Sequence, residues 1–357
     1  DVYKRQGASN IGIYVQETSE IKTGGSGTIT LTGTGSLLEA ATLNRGVICD
    51  ESSLITKDGK ISLVGEGGTG TDDNYGVEIH TGFVQSETGS ITFTGNSKGT
   101  GKSNIGIYVR NSSEIKTGGS GTIILKGAGS LLGATTENKG IFLNAASVLV
   151  TKDGTISLVG KGGTGTEDNH GVEFDAGVVQ SEIGSITFTG DSKGTETDNV
   201  GVYVLNNSEI KTGELGTITL TGTGSLLGQV AQNRGVFSSG SSLITKDGAI
   251  SFVGKGGTGT DYNQGITFDT GIVQSEIGSI TCTGDSEGTG SHNIGIYVNQ
   301  SSEIKTGGSG TIALEGTGSL LGAAIFNKGI SCNGSSLITK DGEISLVGKG
   351  GAGTNNN

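Results

Sequence analysis

Proline, methionine and tryptophan are absent from this 357-residue chain, aromatic residues make up only 4% of it, and there are three cysteines and three histidines. Each scarcity removes a class of protein. Cys49, Cys282 and Cys332 are too few and too far apart for a disulfide scaffold. Each stands where neighbouring units carry Leu, Val, Phe or Ser, so they read as small core residues. His80, His170 and His292 have no companions at metal-ligand spacing, and no cofactor is expected. Lys and Arg number 23 against 35 Asp and Glu, a net charge of −12, so no basic surface is expected for a nucleic-acid backbone. No apolar run approaches the roughly 18 residues of a membrane helix, and no membrane insertion by this segment is expected. The 70 glycines follow no Gly-X-Y triplet, which excludes collagen.

What is present is a repeat. Asn-x-Gly followed by alternating apolar residues begins at Asn10, Asn44, Asn74, Asn104, Asn138, Asn169, Asn199, Asn233, Asn263, Asn293 and Asn327, at steps of 30, 31 or 34 residues. Such regularity means one structural unit stacked on itself. Each unit holds three short alternating segments punctuated by glycine, and no helical period is visible. The expected fold is all-β: a three-sided parallel β-helix (β-solenoid) of 11–12 coils, each of 30–34 residues. Parallel crossovers favour the right hand. Ten steps of about 4.8 Å give a rod of roughly 48 Å.

The coils are themselves grouped. Ser-Glu-Ile-Lys-Thr-Gly starts at Ser19, Ser113, Ser208 and Ser302, a triplet super-repeat of 94–95 residues. Residues 10–357 read as one continuous solenoid truncated at both ends, with Asn357 as a twelfth repeat asparagine. Residues 1–9 read as a partial coil, and Val2-Tyr3-Lys4-Arg5-Gln6 as a non-native leader.

Inward columns are expected three and five residues after each Asn (Ile13/Val15, Val47/Cys49, Val77/Ile79 and onward) and on the third strand (Ile29/Leu31 to Ile344/Leu346). The asparagine suits a corner, since it tolerates a left-handed backbone and its amide can bond the coil above and below. Glycines at the junctions are expected to supply bends of positive φ. Lys22, Lys57-Asp58 and Glu87, with their equivalents Lys116, Lys152-Asp153 and Glu182, are expected to alternate in charge between coils as a solvated ladder.

Gly67-Gly68-Thr69-Gly70-Thr71-Asp72 matches the start of a calcium-binding nonapeptide. That mechanism needs consecutive motifs, whereas here the motif recurs once per super-repeat with its acid twice replaced. Asp72, Asp73 and Asp261 are the residues a loosely held divalent ion would use. Outward Thr pairs such as Thr30/Thr32 and Thr187/Thr189 resemble an ice-binding array, but Ser62/Val64, Ile124/Lys126 and Ala313/Glu315 interrupt it. Four residues after each Asn lies an outward column holding Tyr14, Tyr108, Phe142, Tyr203, Phe237 and Tyr297. Tyr108, Phe142, Tyr203, Phe237 and Tyr297 could stack against sugar rings. The competing and favoured expectation is that Leu37-Leu38, Leu131-Leu132, Leu226-Leu227 and Leu320-Leu321 fold onto that column as a satellite core. No Ser-His-Asp set or carboxylate pair stands apart from the repeats, so no catalytic residue is expected.

The Asn-x-Gly-Ile/Val and Gly-x-Ile-x-Leu-x-Gly-x-Gly units resemble the β-helical regions of bacterial filamentous-haemagglutinin-like and autotransporter adhesins. That resemblance implies an exported, non-enzymatic rod at the cell surface or outside the cell, continuous with further repeats, meeting host or matrix glycans or proteins. The other function classes open to this architecture are a pectate-lyase-like polysaccharide enzyme and an ice-binding solenoid. An enzyme would carry acids and bases on loops unique to a few coils, and no coil here has such a loop.

Overall fold

The computed structural model describes residues 9–36, 42–133, 135–321 and 325–353. The leader, Leu37-Leu38 and Asn357 lie outside these residues. Among the described residues the regular structure is entirely strand, from Asn10–Val15 (β1) to Ile344–Lys349 (β31). Strands of successive coils pair in parallel and in register, Asn10 with Asn44, Ile13 with Val47 and Val15 with Cys49. This makes a β-solenoid whose coils each have three sides. Face A carries the Asn-x-Gly strands, face B the Ser-Glu-Ile-Lys-Thr strands, and face C the Gly-x-Ile strands. Face C is an eleven-stranded sheet, whereas A and B join into one of twenty strands. They join because Val236–Thr245 and Ile266–Ser275 pass the A–B corner without interruption.

Alternation places one side of every strand inside. The two expected columns are there, and a third comes from face B, running through Leu54, Val84, Ile115, Leu149 and Val179. In the coil starting at Asn74, Val77, Ile79, Val84, Ile91 and Phe93 are all fully buried. At roughly 1.5–3 kcal/mol each, burial contributes on the order of 10 kcal/mol per coil before the opposing chain entropy. Phe252 and Phe268 meet edge to face across the interior at 4.8 Å. Cys49 and Cys282 are buried, and burial pushes the Cys49 thiol up to about 12. Cys332, on the last described coil, is exposed.

Face B's inward column ends in a hydroxyl residue, and these buried hydroxyls close the B–C turn. Thr56 Oγ1 donates to the Gly59 carbonyl at 2.7 Å, and Ser86 Oγ donates to the same oxygen at 2.9 Å. This is the physical content of the Thr-Lys-Asp-Gly run that recurs at Thr56, Thr151, Thr245 and Thr339. The acids and lysines beside it differ from expectation. The ion pairs run within a strand, Lys116 with Glu114 at 3.9 Å and Lys211 with Glu209 at 3.8 Å. On a strand, residues two apart share a face, and the in-register partners of Lys116 are uncharged Gln85 and Val150.

The C–A corner is the narrowest part of the coil. Gly65, ending a face-C strand, and Gly76 of Asn-x-Gly pack backbone to backbone, and a Cβ on Gly76 would sit 2.6 Å from the Gly106 carbonyl oxygen. These glycines are therefore demanded by close approach. The expectation of positive φ at the junction glycines is overturned for this corner. Positive φ falls instead on the residue before each asparagine, among them Asp73 (56°), Asp168 (55°), Tyr262 (57°), His292 (59°) and Phe326 (61°). The asparagine itself keeps negative φ because its side chain must point inward.

There the ladder forms. Asn199 Oδ1 accepts from both Asn169 N and Asn169 Nδ2 at 3.0 Å, and Asn293 Oδ1 does the same for Asn263 at 2.9 and 3.0 Å. From Asn44 to Asn327 these asparagines are fully buried.

Candidate ligand-binding face

Face A is where aromatic rings and paired charges gather. Its outer surface has three columns: the left-handed residue before each Asn, the residue after it, and the residue four places on. Because the register never slips, side chains one super-repeat apart occupy equivalent places, and three versions of one surface can be compared.

In the first version, Glu78 is buried between two guanidinium groups. Arg45 Nη1 lies 3.0 Å from its Oε2, and Arg110 Nη2 lies 2.8 Å from its Oε1. Arg45 also covers the Tyr75 ring at 4.9 Å, and Lys139 covers Phe142 at 4.2 Å. Tyr108 and Phe142 stack almost parallel, 5.0 Å apart with 5° between their planes.

In the second version, Lys139 Nζ lies 2.6 Å from Glu173 Oε2 in a nearly water-free setting. Burial works to lower the Lys139 pKa, but the Glu173 carboxylate outweighs it and leaves it raised. His170 is buried beside this pair. Its Nδ1 accepts from Val200 N at 3.2 Å, so the proton sits on Nε2, 3.5 Å from Glu173 Oε2. Burial, with the charges of Lys139 and Arg234, holds its pKa well below the ordinary imidazole value. Tyr203 and Phe237 pack at 5.1 Å, and Arg234 covers Phe237 at 4.6 Å.

The third version is built differently. Tyr262, His292 and Phe326 replace the earlier polar residues of the left-handed column and stack along the rod, at 4.7 Å and 4.9 Å. Thr267 stands where Glu78 and Glu173 stood, and Ser331 where Phe142 and Phe237 stood. Beside the last described coil lies a hollow of about 300 Å³, lined by the aromatic column with Tyr297, Lys328, Ser331 and the inward-column Cys332.

The aromatic column read from the sequence is thus brought together on face A but in two states. Tyr108, Phe142, Tyr203 and Phe237 are half-buried and packed in pairs, the first pair stacked and the second tilted by 52°. Among the described residues no ring stacks on Tyr297. The three described leucine pairs, Leu131-Leu132, Leu226-Leu227 and Leu320-Leu321, do not cover the column, contrary to the favoured expectation. Leu131 and Leu132 are both 59% exposed and Leu321 is 66% exposed. Their loop is held over the end of face C, where Leu132 N donates to Ser130 Oγ at 3.1 Å and Thr164 Oγ1 donates to the Leu131 carbonyl at 2.8 Å.

Of the acids considered for calcium, Asp72 and Asp261 cap backbone N–H groups and Asp73 accepts from a tyrosine hydroxyl. Asp72 Oδ1 accepts from Lys102 N at 2.8 Å, Asp261 Oδ1 from Ser291 N at 2.5 Å, and Asp73 Oδ1 from the Tyr75 hydroxyl at 3.0 Å. Among the described residues no group of three or more His, Cys, Asp or Glu could hold a metal ion. The threonine array is broken in space as in sequence, Thr92 and Thr94 being flanked by Ser62/Val64 and Ile124/Lys126. The aromatic left-handed column escaped the sequence reading because Tyr262, His292 and Phe326 are 30 and 34 residues apart; its signal was the fixed offset before each Asn. No protein family matches this chain, and neither the curated proteins nor the solved structures contain a match.

Proposed function

We propose that the chain is a non-catalytic rod, a repeat segment of an extracellular or cell-surface adhesin or structural filament, that presents face A to glycans. One observation carries this reading: eleven strands of face C stack without a break in register, while the outer aromatic rings and the cations packed on them gather on face A. A regular scaffold with rings and cations gathered on one face suits recognition along its length. Aromatic rings, cations and amides exposed together suit sugars, whose ring faces are apolar and whose rims are polar. The likeness to filamentous-haemagglutinin-like and autotransporter regions, which rests on repeat pattern alone, supports export. The test is binding of the purified chain to immobilised glycans, paired with a depolymerisation assay on acidic and neutral polysaccharides. Binding without product supports the reading; release of oligosaccharides would replace it with the enzyme class.

A further inference from the structure

Face C takes no part in the glycan reading. From the strand Ile123–Ala128 to the strand Ile312–Thr317, its outward residues are Thr, Ser, Val, Ile or Ala apart from six charges. Lys126 and Glu315 stand in the middle column, and Lys161, Asp191, Lys255 and Asp285 in the column that ends each strand. Three are positive and three negative, so this stretch is neutral in a chain of net charge −12. A second copy meets no net repulsion there. Lys255 is paired with Glu287 at 2.9 Å. Among the described residues the other five belong to no ion pair, although Lys161 and Asp191 are neighbours in register.

What selects a partner is the order of these charges along the rod. In-register pairing runs the end column as Lys161, Asp191, Thr223, Lys255 and Asp285. The order belongs to the super-repeat, which gives Lys161, Asp191, Thr223 and then Lys255, Asp285, Thr317. In the middle column Lys126 and Glu315 lie three steps either side of Thr221. A copy turned over about an axis along the strand Ile218–Thr223 keeps each column against itself and reverses the order of the coils. Lys161 then meets Asp285, Asp191 meets Lys255 and Lys126 meets Glu315, each twice by symmetry. One step further out Asn96 meets Lys349, which is not a like pair. Parallel copies in register set Lys126 against Lys126 and Glu315 against Glu315. An axis through the strand of Lys126, Asp191, Lys255 or Glu315 sets that residue against itself, and like charges face to face oppose association.

The exposed leucines obey the same axis. Leu131-Leu132, Leu226-Leu227 and Leu320-Leu321 lie three coils apart, so the turn sets the first pair against the third and the second against itself. They border the end column: a hollow of about 360 Å³ is lined by Ala128 with Leu131 and Leu132, and one of about 510 Å³ by Asp285 with Leu320 and Leu321. We propose that face C is a self-association surface, on which a second copy of this chain docks antiparallel with the two-fold axis at the coil that starts at Asn199. From Lys126 to Glu315 is six steps of about 4.8 Å, roughly 29 Å, and a six-residue strand spans about 20 Å. The contact is therefore on the order of 600 Å² in projection before the leucines are added, against about 800 Å² per partner in a standard interface. It does not rest on the glycan reading, which concerns another side of the rod.

The experiment is sedimentation equilibrium of the whole chain over a wide concentration range, where a reversible monomer–dimer equilibrium is expected. Lys126→Glu and Glu315→Lys each create two like contacts per dimer and are expected to raise the dissociation constant by about tenfold or more. Both side chains are exposed on the outer surface, so the circular dichroism spectrum is expected to stay unchanged. The double variant Lys126→Glu/Glu315→Lys is expected to restore the dimer. Within one chain the two positions are about 29 Å apart, so only contact between antiparallel copies can link them. Leu226→Ser/Leu227→Ser is expected to weaken the dimer, and Tyr108→Ala on face A to leave it unchanged. A monomer at every concentration would overturn the proposal and leave the leucine edge to a different partner. A dimer indifferent to both single charge variants, or lost in Tyr108→Ala, would overturn the surface. Weakening by the single variants without rescue in the double variant would overturn the antiparallel alignment.

Discussion

An asparagine at a fixed corner carries two kinds of load, and they differ from coil to coil. Asn199 Oδ1 accepts two bonds from Asn169, and Asn199 Nδ2 donates to the Thr166 carbonyl at 2.8 Å. Asn138 has a weaker position, its Nδ2 bonded to the Thr135 carbonyl at 3.2 Å and its buried Oδ1 without a partner. Asn199→Ala strands buried donors and is expected to cost about 1–3 kcal/mol in urea unfolding, with Asn138→Ala costing clearly less. His170 gives a pH signature. Its folded pKa is depressed, so the unfolded chain takes up the proton first as pH falls. The stability it allows is complete above the unfolded value, about 6.5, and is lost progressively below it, by at most about 1.4 kcal/mol per pH unit. His170→Gln is expected to flatten the fall in melting temperature between pH 6.5 and 5; an unchanged slope would show that other groups set it.

Strands here are short, and what fixes them is the corner between faces C and A. The two glycine columns let main chains approach where any side chain would intrude. A Cβ on Gly65 would penetrate the Gly76 carbonyl oxygen, whereas at Gly24 nothing lies within 4 Å. Gly65→Ala is therefore expected to lose about 3 kcal/mol or more, because backbone has to move, and Gly24→Ala to stay within about 0.5 kcal/mol. Chemical denaturation of the pair checks this. Both residues look alike in the sequence, since each is a glycine ending a strand. Only the stacking of Gly65 against Gly76 separates them.

As a whole the molecule is a one-dimensional stack, and its stability is a sum over coils and their interfaces. Excising one super-repeat, Asn104–Asp198, joins Ser103 to Asn199 with every column preserved. The shortened chain is expected to fold with the same strand signal per residue. Excising the single coil Asn104–Glu137 removes Arg110 and sets Phe142 beside Glu78, whose carboxylate now meets Arg110 at 2.8 Å. That variant is expected to be the less stable of the two per coil, by circular dichroism melting. Equal stability would mean that the super-repeat has no energetic meaning.

Period and alternation alone determined the architecture. Asn-x-Gly at 30, 31 or 34 residues set the coil, and apolar residues two apart set the core, because a parallel in-register stack makes every column a simple sequence offset. Offsets do not tell which way a loop leans or which residue bears a left-handed backbone. The leucine pairs were expected over the aromatic column, yet Ser130 and Thr164 hold one of them at the end of face C. The junction glycines were expected at positive φ, and Gly25, Gly119 and Gly308 have it, yet at the C–A corner the residue before the Asn takes it, as at Asp73 and Asp168, because the asparagine side chain turns inward to its ladder. The stripe from Tyr108 to Tyr297 was legible as a column. That Tyr108 and Tyr203 are each paired with a phenylalanine, while Tyr297 faces a hollow beside Ser331, was decided by packing between coils.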